Sequence, residues 1–171
     1  MTTGTPPPGP RTLVAGVGNI FLGDDGFGVE AARALAGQEL PEGVEVTDIG
    51  IRGVHLAYQL LDGYDTLILL DATARGGEPG TLYLIDARAP GARQSPDASA
   101  LDGHRMSPDA VLGLLDTLCA GTGARPPRRT LVVGCEPQTV DEGIGLSPRV
   151  AAAVPEAVRM AGELIRDAAV V

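Results

Sequence analysis

The sequence has no tryptophan, two cysteines, and aromatic side chains at only 3% of its 171 positions. So few cysteines exclude a disulfide framework or a thiolate metal cluster. So few aromatics mean that a core has to be filled by valine, leucine, isoleucine and alanine. Basic residues are also scarce, 13 against 22 acidic, for a formal charge of −9 with no dense basic cluster. Nucleic-acid and anionic-membrane partners are therefore excluded as expectations. No apolar run approaches the roughly 18 residues that span a bilayer. The opening MTTGTPPPGPR has neither the basic nor the apolar region of a signal peptide. Residues 1–11 are expected to be a disordered tail before a single domain over 12–171, in a soluble cytoplasmic protein.

What is present is apolar content of 44%, ample for one buried core. It is arranged as an alternation. Residues 12–18, TLVAGVG, read as a buried strand ending in a tight turn. Phe27, Ala31, Ala34 and Leu35 have helical spacing, closed at Gly37. GVEVTDIG (43–50) is a second strand and GVHLAYQLLDG (53–63) a second helix. DTLILLDAT (65–73) is apolar on both faces, as a central strand of a covered sheet is. GTLYLIDAR (80–88) follows after too short a loop for a parallel crossover, so it is expected to run antiparallel or at an edge. A long polar loop over 87–103 precedes a helix with Ser107 as N-cap and Pro108 in its first position. RTLVVGCEP (129–137) is the last strand, and Ser147 and Pro148 start the last helix. Strands alternating with helices predict an α/β domain on a mostly parallel sheet.

In such sheets ligands collect beyond the carboxyl ends of the strands. Asp25, Asp48, Asp71 and Glu136 all follow strands, and His104 ends the long loop. A nucleotide site is disfavoured. GVGNIF supplies two glycines of G-x-G-x-x-G but sets Phe21 in the third place, where close helix packing needs glycine. Asp24 and Asp25 also bring negative charge to the helix start that would otherwise attract phosphate. Asp24 is expected to cap that helix while Asp25 reaches inward. Asp71 ends the most buried run, where a carboxylate without a partner is costly. Asp25, Asp48 and Asp71 are the candidate catalytic carboxylates, with Asp48 and Glu136 as the weaker pair, placed to support the others by hydrogen bonds. Carboxylates converging with a histidine suit a divalent ion of intermediate hardness without selecting one metal. His55 reads as a surface histidine, and Cys119 and Cys135 as packing residues.

GVGNIFLGDDGFGV, LILLDA, the GH before a helix and GCEPQTVDEGIGLSP together resemble the hydrogenase maturation endopeptidase family, from about residue 12 to residue 168. The resemblance implies a twisted five-stranded sheet between two layers of helices, a single-domain three-layer α/β sandwich. It implies an endopeptidase that removes the C-terminal extension of a nickel–iron hydrogenase large-subunit precursor after nickel insertion. Carried onto this chain, the family's metal ligands fall on Asp25, Asp71 and His104, and the nickel comes with the precursor. Another divalent ion, such as zinc, is the alternative that such a set admits. The family often has Gly-Gly-Thr after the second strand, where this chain has DIGIRG. Gly50, Ile51 and Arg52 thus form a divergent loop expected to meet the substrate tail. The competing expectation is a non-catalytic nickel-sensing chaperone for the same precursor.

Overall fold

The computed structural model describes residues 9–88 and 107–169. In chain order these form β1 (Thr12–Val17), a 3-10 turn (Gly23–Gly26), α1 (Phe27–Ala36), β2 (Val44–Gly50), α2 (Gly53–Leu60), β3 (Thr66–Ala72), β4 (Leu82–Asp86), α3 (Pro108–Thr122), β5 (Arg129–Cys135) and α4 (Pro148–Ala169). Residues 1–8 of the expected tail, and most of the long polar loop, lie outside the described residues.

The strands make one sheet in the order β2-β1-β3-β5-β4. Its pairs are parallel except for β4 against β5, so the fourth strand is both antiparallel and at an edge. β3 is central, with Thr66 through Leu70 all buried. Alternate side chains of a strand serve opposite faces, and two apolar layers result. Leu67 and Leu69 join residues of α2 and α3 on one face, and Ile68 and Leu70 join α1 and α4 on the other. Helices therefore cover both faces.

Helix α1 lies unusually close to the sheet. A Cβ on Gly28 would come within 2.0 Å of the Leu70 carbonyl oxygen and 2.3 Å of that of Val17. The close approach thus rests on Gly28, while Phe21 is 60% exposed and obstructs nothing. The buried face of α1 also differs from the expected one. Ala31 and Leu35 are buried as expected, but Ala34 faces solvent and Ala32 takes its place. α3 starts as the sequence predicts, with Ser107 Oγ accepting from the Ala110 N–H at 3.2 Å.

The chain leaves β1 for β2 on one side and returns for β3 on the other. A switch point therefore lies between the carboxyl ends of β1 and β3, the place where ligands bind in such sheets.

Candidate functional site

Asp25 and Asp71 flank this switch point. Asp71 is the penultimate residue of β3, paired in register with Gly134 of β5 and only partly buried. By strand alternation it belongs to the α2/α3 face. Asp25 lies in the 3-10 turn after β1, a turn that packs against the end of β3. It is 8% exposed, and its Oδ2 accepts from the Asn19 N–H at 2.7 Å, which fixes the carboxylate's orientation. Gly18 makes this turn possible: its φ is +131°, and a Cβ there would overlap the Asp25 carbonyl oxygen at 1.9 Å.

The neighbouring aspartate does different work from that expected. Asp24 does not cap the helix that follows it: neither the 3-10 turn nor α1 has a side-chain cap, and Gly26 holds the N-cap position of α1. The intervening 3-10 turn moves the N-cap position two residues beyond Asp24. Fully buried, the Asp24 carboxylate instead gathers the loop between β5 and α4. It accepts from the N–H groups of Gln138 (2.8 Å), Thr139 (3.1 Å) and Ser147 (2.7 Å) and from the Ser147 hydroxyl (2.8 Å). Burial opposes its ionisation, but these donors outweigh burial and hold the carboxyl below its ordinary range.

Glu136 is a second anchor of this kind. It is 4% exposed and accepts from Arg75 N–H (2.8 Å), Gly77 N–H (2.7 Å) and the Tyr83 hydroxyl (2.9 Å). Here too burial raises the pKa, and the donors of Arg75, Gly77 and Tyr83 more than reverse it. Its carboxylate thus fastens the loop from β3 to β4.

Asp48 does not join Asp71. Alternation sets it with Val44 and Val46 on the α1/α4 face, where it is exposed and pairs with Arg33 Nε of α1 at 3.3 Å. It helps wall a groove of about 420 Å³ between the glycine turn, α1 and the end of β2. Gly50, Ile51 and Arg52 line the same groove, opposite Asn19, Ile20 and Phe21. The sequence singled out Gly50–Arg52 as a divergent loop and gave no such role to Phe21 or Arg33, which line the same groove. Arginine at position 33 carried no signal by itself, and Phe21 was weighed only as a failed glycine.

His104 lies outside the described residues. Among the described residues, no three His, Cys, Asp or Glu side chains form a group that could hold a metal ion. His55 is exposed on α2, as expected. Both cysteines are buried and free. Desolvation, followed by the nearby charges of Asp24 and Glu136, pushes the Cys135 thiol up to about 11. Burial likewise raises Cys119. Protonated thiols are poor nucleophiles, so the arrangement offers oriented carboxylates rather than a thiolate for chemistry.

Comparison with known proteins bears on the family and the fold. The profile of the HycI family, described as hydrogenase maturation protease, matches residues 29–163. The hydrogenase 2 maturation protease of Escherichia coli is 35% identical over 164 residues, 94% of this chain and 93% of that protein. The hydrogenase expression/formation protein HupD of Rhizobium leguminosarum bv. viciae is 35% identical, over 95% of this chain and 77% of that protein. Among solved structures, the E. coli hydrogenase maturating endopeptidase HybD superposes with a TM-score of 0.70 at 34% identity, covering 92% of this chain and 93% of that one.

Proposed function

This chain belongs to the hydrogenase maturation protease family and is a peptidase, and from that membership we propose that it removes the C-terminal extension of a nickel–iron hydrogenase large-subunit precursor, with the precursor's own nickel marking the substrate. The observation that carries this reading is the position of Asp25 and Asp71 on either side of the switch point between β1 and β3. Two carboxylates at one crevice, taken with the histidine that the family resemblance assigns to position 104, are the donor types that suit an ion of intermediate hardness. The bond from the Asn19 N–H to Asp25 supports it further, because outer hydrogen bonds of this kind orient metal-ligating carboxylates.

Nickel brought by the precursor and bound by Asp25, Asp71 and His104 would supply Lewis-acid polarisation of the scissile carbonyl. The chain's own part is to hold the cleavage site at this edge and to accept a proton from the attacking water. We assign that second task to Asp25, whose carboxylate is oriented by the Asn19 N–H. Asp48, engaged with Arg33 on the other face, is assigned to the groove wall instead. The Asp24 and Glu136 carboxylates are saturated with donors and keep the surrounding loops in place.

The test is incubation of purified protein with nickel-loaded and nickel-free precursor, followed by gel shift and mass determination. The loaded precursor is expected to lose a C-terminal fragment and the nickel-free one to remain intact. Asp71→Ala is expected to lower the cleavage rate by about 10² or more while leaving thermal unfolding nearly unchanged. A wild-type rate in that variant overturns the assignment of Asp71. An intact precursor held in a stable complex identifies a chaperone instead.

A further inference from the structure

The groove beside the glycine turn carries a feature that cleavage chemistry does not use. Its walls include Ile20, Phe21, Val29, Ile49 and Ile51, and its volume of about 420 Å³ lies within the roughly 300–1,000 Å³ of small-ligand sites. Two of these residues stand open to solvent, Phe21 at 60% and Ile51 at 55% exposure. An apolar cleft with an exposed aromatic at its mouth suits an apolar segment of a partner chain.

Its charged members are Arg33, Arg52 and Asp48. Arg33 is spoken for, because Asp48 and Glu30 lie 3.3 and 3.6 Å from its guanidinium. Arg52 is not. Its Nε donates to the Ile49 carbonyl at 3.3 Å and one Nη to the Asp48 carbonyl at 3.1 Å. These two bonds tie the guanidinium to the last residues of β2, and among the described residues no carboxylate pairs with it. A guanidinium fixed by its own backbone loses little further freedom when it takes up an anion, and its fork matches a carboxylate. In a chain with a formal charge of −9, this cation without a carboxylate partner at an apolar groove is the local complement to an acidic partner group.

We propose that this groove receives an extended apolar stretch of the protein substrate and that Arg52 pairs with a carboxylate carried by that stretch. The proposal rests on the proteolytic reading for the identity of the partner, and it assigns to Gly50–Arg52 a selectivity for acidic peptide. Arg52 acts here in substrate recognition, away from the cleavage chemistry.

Two measurements separate the failure of this proposal from the failure of the proteolytic one. In the first, fluorescence anisotropy follows a labelled valine- and leucine-rich nonapeptide with one central glutamate, alongside its glutamine counterpart. The wild-type protein is expected to bind the glutamate peptide about fivefold more tightly at low salt, the scale of one partly exposed ion pair. Arg52→Gln is expected to abolish that preference, and Arg52→Glu to reverse it. In the second, precursor cleavage by Arg52→Gln is expected to show a raised KM with kcat within twofold of wild type. Equal binding of the two peptides by the wild-type protein, or a glutamate preference that survives in Arg52→Gln, overturns the proposal even where the precursor is cleaved normally. A preference that depends on Arg52 in a protein that leaves the precursor intact upholds the groove and overturns the protease reading alone. Loss confined to kcat overturns the recognition role.

Discussion

On the β5 side of the sheet's carboxyl edge, Asp24 and Glu136 are buried and each collects several donors from a loop far away in sequence. On the β2 side, Phe21, Ile51 and Arg52 stand exposed around a groove whose polar groups are only partly paired. Both sides use residues that flank the same glycine turn, and Asp25 lies between them. The comparison teaches a division of labour. Acidic groups of one type act as fasteners where donors saturate them, and are the groups to which we assign chemistry where they border the crevice. The fastened side supplies a rigid wall, and the open side is the one we propose for recognition.

The largest expected effect on stability breaks the fastened side. Asp24→Ala removes the acceptor for three backbone N–H groups and the Ser147 hydroxyl inside a fully buried pocket. Each buried donor left without a partner costs about 1–3 kcal/mol, so a net loss of about 3–5 kcal/mol is expected after partial rehydration of the loop. At this chain length that corresponds to a fall in Tm of about 10 °C, measurable by circular dichroism. A fall of only a degree or two shows that the loop from β5 to α4 holds itself in place without Asp24.

Acid should open the same side by degrees. Asp24 and Glu136 are held below their ordinary carboxyl values when folded, so the unfolded chain binds their protons first as pH falls. Their contribution is therefore complete above roughly pH 5 and is lost as pH drops through the unfolded and then the folded values. Glu136→Gln keeps the shape but turns an amide toward the N–H groups of Arg75 and Gly77, at an expected cost of about 1–3 kcal/mol near neutrality. The variant's stability should fall less steeply than wild type between pH 5 and pH 3. Parallel curves for the two proteins show that Glu136 contributes no proton linkage.

The alternation of strands and helices, the central third strand and the edge position of the fourth could all be read from the sequence, because hydrophobic periodicity is a local signal. The caps at Ser107 and the burial of both cysteines were equally local. The task of Asp24 was not. Its partners lie 114 to 123 positions further along the chain, and a carboxylate near a helix start has an ordinary local explanation as a cap. The closeness of α1 to the sheet was not foreseen, because the dinucleotide pattern asks for glycine at position 21 and Phe21 stands there. Here the 3-10 turn lengthens the path, and Gly28 meets the strand ends instead. Asp48 and Asp71 were grouped because both follow strands. Separating them takes the registers of β2 and β3 against β1, which put their side chains on opposite faces.

The smallest stability effect belongs to the open side and sharpens the comparison most. Phe21 is 60% exposed, yet its backbone is pinned at both ends: its N–H donates to Asn19 Oδ1 at 2.9 Å, and its carbonyl accepts from the Gly143 N–H at 2.9 Å. An aromatic ring held out to solvent on a fixed backbone contributes little to folding and suits binding, where large rigid side chains lose little entropy. Phe21→Ser should therefore change the unfolding free energy by less than about 0.5 kcal/mol, while raising the KM for precursor cleavage by roughly tenfold, the scale of an aromatic anchor. Unfolding by urea and initial cleavage rates over a range of precursor concentrations measure the two quantities on one preparation. A destabilisation comparable to that of Asp24→Ala makes Phe21 part of the fastened wall. An unchanged KM detaches the groove from substrate recognition and leaves the open side of the edge without a role in cleavage.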